Sequence, residues 1–304
     1  MIFIKSVGYI NKGVAVLKEW KRSLRISLKY ARSLLCGYPF FYAHQQTPHR
    51  SYLYSHLWCD SVTAIPNRGS PEIRENRILN LQLAASKIHQ LQLNPGQIFS
   101  FCNCVGDPTL SNGFKAGPVF VRGQVQTGVG GGLCLIATNL FHMFLVSGCQ
   151  ILERHCHSID AYGDDRFYQL GQDASISYGY KDLIVRNHSA VALQLRLQVL
   201  PETGQVVSSL WGQSPCPWKV KVDSVVLQEL LSPSTTNSAT NISGWIVETR
   251  RSVRDRADNS TTRTGSKTMT EEELSWQLDY RAISVYKPCT DSSLKTTGKI
   301  DKIV

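Results

Sequence analysis

Near the start of the chain Leu17, Trp20, Leu24, Leu28, Ala31 and Leu35 recur at intervals of three and four. That spacing lays them on one face of an α-helix, and Lys18, Lys21, Arg22, Arg25, Lys29 and Arg32 fall largely off it. Two readings stand side by side. The helix lies on an anionic membrane surface through these basic residues, or it packs its apolar face on the body of the protein with the basic face in water. Ile78, Leu81, Ala85, Ile88 and Leu91 set out a second amphipathic helix, stopped by the NPGQ turn at Asn94–Gln97, after which IFSF opens a strand. PVFVRGQVQTG has the form of a hairpin around Arg122-Gly123.

Behind the run GVGGGLC (Gly128–Cys134), Ile136, Leu140, Met143 and Phe144 share a helical face, and Gly148 is a natural end signal. CQILERH, DASISYG and DLIVRN follow as short strands. In AVALQLRLQVL the residues Val191, Leu193, Leu195, Leu197 and Val199 alternate cleanly, and a PETGQ turn returns the chain into VVSSLWG. The expected fold is α+β: a mainly antiparallel sheet with a buried helix starting at Cys134 and a basic amphipathic N-terminal helix. It divides into a helical head (1–45), an α+β core (46–212) and a C-terminal β extension (213–304). Two long polar stretches interrupt that extension, at Ser232–Ser243 and around DRADNSTTRTGSKTMTEEE.

Charge sharpens the picture of the head. The whole chain of 304 residues carries +10. Residues 1–35 hold eight basic side chains against Glu19 alone, so +7 of that +10 sits there. The remainder is close to neutral, which excludes a general nucleic-acid-binding surface. No run of about 18 apolar residues is present to span a membrane, and the start lacks an uninterrupted apolar core with a small-residue cleavage site. The nine cysteines, odd in number and scattered, fit a reducing compartment. A cytoplasmic protein, peripheral to the inner membrane face, is the expectation.

Candidate chemistry gathers at GVGGGLC. A phosphate loop needs Gly-Lys-Ser/Thr after its glycines, and Leu133 and Cys134 stand there instead. A dinucleotide fingerprint needs a βαβ unit, and strands follow. Consecutive glycines let the chain turn sharply into a helix, leaving Cys134 in the first turn. Unpaired N–H groups and the positive end of the helix dipole favour a thiolate there. A nucleophile needs a base and a group to orient it. His155 and His157 in ERHCHS, then Asp160, Asp165 and Asp173, offer both. Against this stands the plain alternative that Cys134 is a small buried hydrophobe. The Cys-x-Cys at Cys102 and Cys104 lacks a partner pair at zinc spacing, so neither metal nor cofactor is expected.

The motifs ENRILNLQLAASKIHQLQLNPGQIFSF, GVGGGLCLIATNLF, ERHCHS and DASISYGYKDLIVRN, in that order, resemble the VanW family over roughly residues 70–200. The family is named for an accessory gene of some vancomycin-resistance clusters. The resemblance places family features on Gly130, Gly131, Gly132, Cys134, His157 and Asp173, with Asn80, Pro95 and Gly96 marking the helix and turn before them. It selects His157 over His155. It also implies a Gln directly after the cysteine and a Ser two places beyond, where this chain has Leu135 and Ala137. Two functions follow as expectations. One is binding of a cell-wall precursor or related peptide at the membrane face, with Gly130, Gly131, Gly132 and Arg154 as binding residues. The other is a cysteine-dependent acyl transferase or amide hydrolase using Cys134, His157 and Asp173.

Overall fold

The computed structural model describes residues 20–121, 124–160, 162–163, 166–231, 241–256 and 275–290. Residues 20–35 are helical (α1), and two short 3-10 turns, Tyr38–Phe41 and Pro48–Leu53, lead into β1 (His56–Ala64). Helix α2 runs Pro71–Ile88. Ser70 caps it by accepting the Ile73 N–H, and Pro71 sits in the first turn, where a missing donor costs nothing. Strands β2 (Leu91–Leu93) and β3 (Ile98–Ser100) flank the expected turn at Asn94–Gln97, in which Gln97 N–H donates to the Asn94 carbonyl at 2.9 Å. Then come the short α3 (Phe101–Val105), the hairpin β4 (Ala116–Val121) and β5 (Gln124–Val129), and α4 (Leu133–Ser147). Strands β6 (Gln150–Glu153), β7 (Ile184–Arg186), β8 (Leu193–Leu200) and β9 (Gln205–Gly212) complete the middle of the chain. The C-terminal part contains β10 (Trp218–Leu230), β11 (Asn241–Ile242), β12 (Gly244–Asp255), β13 (Gln277–Tyr286) and β14 (Cys289–Thr290).

All named strand pairings are antiparallel. Three sheets carry the fold, ordered β1-β9-β8-β2, β3-β7-β6 and β10-β12-β13. The fold is therefore the expected α+β, with α4 at its centre, packed against β1, β6, β9 and β10. Ile136, Leu140, Phe141, Met143 and Phe144 are wholly buried, and the Phe144 ring lies 5.2 Å from that of Phe99. A helix apolar on nearly every side has to be covered from every side. Each such side chain contributes about 1.5–3 kcal/mol by leaving water. Gly148 closes the helix in the left-handed conformation at φ 79°.

Three local expectations need correction. The helical spacing carried α2 to Leu91, yet Gln90 takes φ 60° and Leu91 pairs with Leu195 in the sheet. Leu91 serves the same core from a strand, which is why its spacing misled. DASISYG was expected as a strand, but Asp173–Ser177 is extended without a ladder. Its backbone groups are satisfied instead by side chains and loops: Ala174 by the Thr138 hydroxyl, Ser175 by the His155 carbonyl, Ile176 by the Cys134 sulfur.

The third correction concerns α1, whose apolar face is not the one that docks. Arg22 forms two bonds to the Asp107 carboxylate (2.6 and 2.5 Å), Lys29 pairs with Glu153, Ser33 is buried, and Ile26 packs on Gly179. The acidic groups of the body take the basic side of the helix, so Arg22 and Lys29 are engaged by Asp107 and Glu153. Trp20 (61% exposed), Leu24 (45%), Leu28 (61%) and Leu35 (90%) face outward. Leu17 and Lys18 lie outside the described residues, as do most of the two C-terminal polar stretches and the Arg122-Gly123 tip.

Asn80, wholly buried on α2, ties the hairpin to the glycine run. Its amide donates to the Lys115 and Gly131 carbonyls (3.0 and 2.9 Å) and its oxygen accepts the Lys115 N–H (2.7 Å). Asn80→Ala removes three hydrogen bonds and leaves the Gly131 carbonyl without its buried partner, and we expect urea unfolding to report a loss of about 1–3 kcal/mol.

Candidate active site

The site begins with the glycines. Gly131 lies against Gly117 of β4 so closely that a Cβ on it would stand 2.0 Å from the Gly117 carbonyl carbon. Gly132 is the N-cap of α4 at φ 101°, and a Cβ there would meet Arg77 Cγ at 2.8 Å. Only glycine satisfies both demands, so the run is a backbone-to-backbone mount that delivers the start of α4. The N–H groups of Gly130, Gly131 and Gly132 donate to the carbonyls of Lys115, Gly128 and Pro118 (3.0, 3.3 and 3.2 Å). These three N–H groups hold the mount. No side chain caps this helix end, so the positive end of the helix is presented to the group on Cys134.

Cys134 is partly exposed. Its sulfur accepts the Ile176 N–H at 3.4 Å and hydrogen-bonds the His157 ring. On the far side of that ring Nδ1 meets Asp173 Oδ2 at 2.5 Å, and the His157 backbone N–H donates to the same oxygen at 2.7 Å. The other carboxylate oxygen accepts Arg154 Nη2 (2.7 Å) and the Tyr286 hydroxyl (2.5 Å). Thiol, imidazole and carboxylate thus stand in one line. The three residues expected from the sequence are brought together.

The electrostatics follow from that line. Asp173 has no exposed surface, and burial alone would favour its neutral form. Arg154, His157 and Tyr286 outweigh that and hold the carboxyl well below the usual range. Burial also opposes a charged His157, yet the bonds to Asp173 and Cys134 push its pKa up to about 10. Burial raises Cys134, and the hydrogen bond and charge of His157, the Ile176 N–H and Lys181 together bring it below its ordinary value. Imidazolium beside the sulfur thus favours the thiolate form of Cys134 over what burial alone would allow. Cys59 and Cys102, without such partners, are pushed well above the ordinary thiol range by burial, and Cys104 rises to about 12.

Arg154, expected as a binding residue, bonds within the site and also lines the cavity beside it. Its guanidinium also donates to the Asp173 and Gly171 carbonyls and to the Ser284 hydroxyl, and its side chain is 4% exposed. It positions Asp173. His155 turns to Glu153 at 3.0 Å, and Asp160 to Arg166 at 2.6 Å, so neither joins the relay. Asp165 lies outside the described residues. Sequence reasoning missed Tyr286, the partner of Asp173 from β13, and Tyr168, whose ring stacks 6.3 Å from His157 at 18°. The signal was obscured because β13 turns Ser284 and Tyr286 inward while Ile283 and Val285 face outward. Those two, with His155, His157, Lys181 and Tyr280, line a cavity of about 510 Å³ beside the relay. No three His, Cys, Asp or Glu side chains converge as a metal centre would require, among the described residues.

Leu135 and Ala137 both lie in the hydrophobic core. A polar side chain after the cysteine could orient the imidazole, and in this chain Asp173 does so. The two positions are packing positions here.

The charge state is directly testable through the rate of Cys134 alkylation against pH. A lowered thiol keeps its thiolate as pH falls, so the rate inflects below the ~8.5 of a free cysteine and holds a plateau toward about 10, where His157 loses its proton. In His157→Ala only the Ile176 N–H and Lys181 are left to oppose burial, and the inflection moves upward from that of the wild type. Peptide mapping assigns the modified thiol.

Comparison with known proteins finds a family to which part of the chain is similar. Residues 76–211 match the family model described as VanW like protein. The chain is 33% identical over 123 residues to the Vancomycin B-type resistance protein VanW of Enterococcus faecalis, covering 40% of this chain and 45% of that protein. It is also 33% identical over 113 residues to the Uncharacterized protein YoaR of Bacillus subtilis, covering 37% of this chain and 36% of that protein. Each match spans less than half the length of the relative. No solved structure matches. Residues 76–211 are thus similar to the VanW-like family.

Proposed function

We propose that this VanW-like protein is a cysteine acyl-transfer enzyme that acts on a peptide amide. The observation that carries the reading is the unbroken hydrogen-bonded line from the Cys134 sulfur through His157 to the buried carboxylate of Asp173. A core cysteine needs no imidazolium beside it, and a carboxylate sunk among Arg154, Tyr286 and His157 is a costly arrangement for packing alone.

In this reading the thiolate attacks the carbonyl carbon of the amide. The oxygen gains negative charge near the uncapped start of α4, whose first-turn dipoles favour it. His157 gives its proton to the departing amine, the C–N bond breaks and a thioester remains on Cys134. Neutral His157 then takes a proton from water or an incoming amine as it attacks the thioester, and the free thiolate and imidazolium are restored. Water as acceptor makes the reaction hydrolysis, and an amine makes it transfer. Asp173 stabilises the imidazolium and fixes which nitrogen faces the sulfur, as Tyr286 and Arg154 fix Asp173. The name of the enterococcal relative makes the peptide of a cell-wall precursor the substrate class to try first. Simple binding of such a peptide would use the same cleft without requiring the charged pair.

Incubation with cell-wall precursor peptides, followed by intact mass measurement, tests the reaction. The wild-type chain is expected to gain an acyl mass that maps to Cys134 and is released by hydroxylamine. Cys134→Ala gains none. In His157→Ala the rate of formation falls by about 10²–10⁴. Precursor peptides that bind with no acyl mass forming on Cys134 decide for the binding module. Adduct formation indifferent to His157 sinks the relay.

A further inference from the structure

The docked helix α1 presents an arrangement that the acyl-transfer reading does not use. At about 100° per residue, Trp20, Leu24, Leu28, Ala31 and Leu35 form one stripe. Arg22, Ile26, Lys29 and Ser33 form the opposite one. The structure seats the second stripe on the body through Asp107, Glu153 and Gly179. The apolar stripe is consequently turned outward along the length of the helix, with Trp20, Leu24, Leu28 and Leu35 between 45% and 90% exposed. The 3-10 turn that follows exposes Phe40 (78%) and Phe41 (51%) as well. Between the two stripes stand Lys21, Arg25 and Arg32, all exposed. Residues 20–35 contain no acidic side chain.

We propose that the outward face of α1 docks on an anionic lipid surface, apolar stripe inserted and Lys21, Arg25 and Arg32 against the headgroups. The pattern is that of a helix lying in a membrane interface, apolar residues on one side with basic ones at its border and an aromatic at its end. Charge selects lipid over a second copy of this chain: two such faces would bring Lys21, Arg25 and Arg32 of one copy against those of the other, with no acid on either helix to answer them. Among the described residues no helix is long and apolar enough to cross a membrane, so the contact is peripheral. It differs from the contact expected from the sequence, because Arg22 and Lys29 belong to the body and the leucines replace them. Glu153, which holds Lys29, is followed directly by Arg154 of the site. The relay would then stand within about one or two helix diameters, ~10–20 Å, of the headgroups.

Vesicle co-sedimentation of the full chain tests this. Vesicles of phosphatidylcholine alone are compared with vesicles holding about one-third phosphatidylglycerol, at low and high salt. The chain is expected to pellet with the anionic vesicles, less so at high salt, and only weakly with phosphatidylcholine. The double variant Leu24→Glu, Leu28→Glu alters exposed positions only, and it should reduce partitioning at least tenfold while the Cys134 alkylation profile stays that of the wild type. Absence from the anionic pellet, or equal partitioning by the double variant, overturns the proposal. So does a wild-type dimer in sedimentation equilibrium that the same two substitutions convert to monomer, which would make a second copy the occupant.

Discussion

A carboxylate placed where water cannot reach it must be answered by the chain around it, and Asp173 is such a group. Four bonds converge on it, from the His157 ring and backbone, from Arg154 and from Tyr286. The partners come from the loop after β6, from β6's own continuation and from β13, so these segments are held together by one buried charge. Removing a partner from such a group costs about 3–5 kcal/mol, because the remaining charge is left unanswered in a poor solvent. The same demand fixes the chemistry. His157 is held charged because Asp173 is, and the charge on His157 favours the thiolate of Cys134.

The glycine run supplies the other half of the constraint. Backbone contact between Gly131 and Gly117 brings the β4–β5 hairpin against the start of α4, and Asn80 pins both to α2. With α4 surrounded by sheets and unable to shift, the sulfur at its first turn has a fixed position. The extended Asp173–Ser177 segment follows from this. It forgoes a strand ladder and bonds instead to Thr138 and Cys134 of α4, so acid and thiol are registered against the same helix.

Two elements read backwards when judged by hydrophobicity alone. On α1 the apolar stripe faces outward because Asp107 and Glu153 claim the basic one. On β13 Ile283 and Val285 face outward because Arg154 and Asp173 need Ser284 and Tyr286 inside. In both cases a charged or polar group on another element outbids the ordinary preference for burying carbon. Unanswered charge costs more than an exposed leucine.

The local grammar of the chain settled a good deal by itself. The α4 pattern, the alternation in β8, the turn at Asn94–Gln97 and the sharp glycine entry to Cys134 are all properties of neighbouring residues. Period, caps and permissive φ are enough to determine them. The order of thiol, histidine and acid was also legible, and with the family resemblance it led to Cys134, His157 and Asp173. Tertiary structure alone decided which face of α1 docks, that Leu91 leaves the helix for a strand, that Arg154 bonds Asp173, and that Tyr286 completes the site from 113 residues beyond Asp173. Each of these is set by partners distant along the chain. Period describes which residues share a face, but the charge waiting on another element determines what that face will meet.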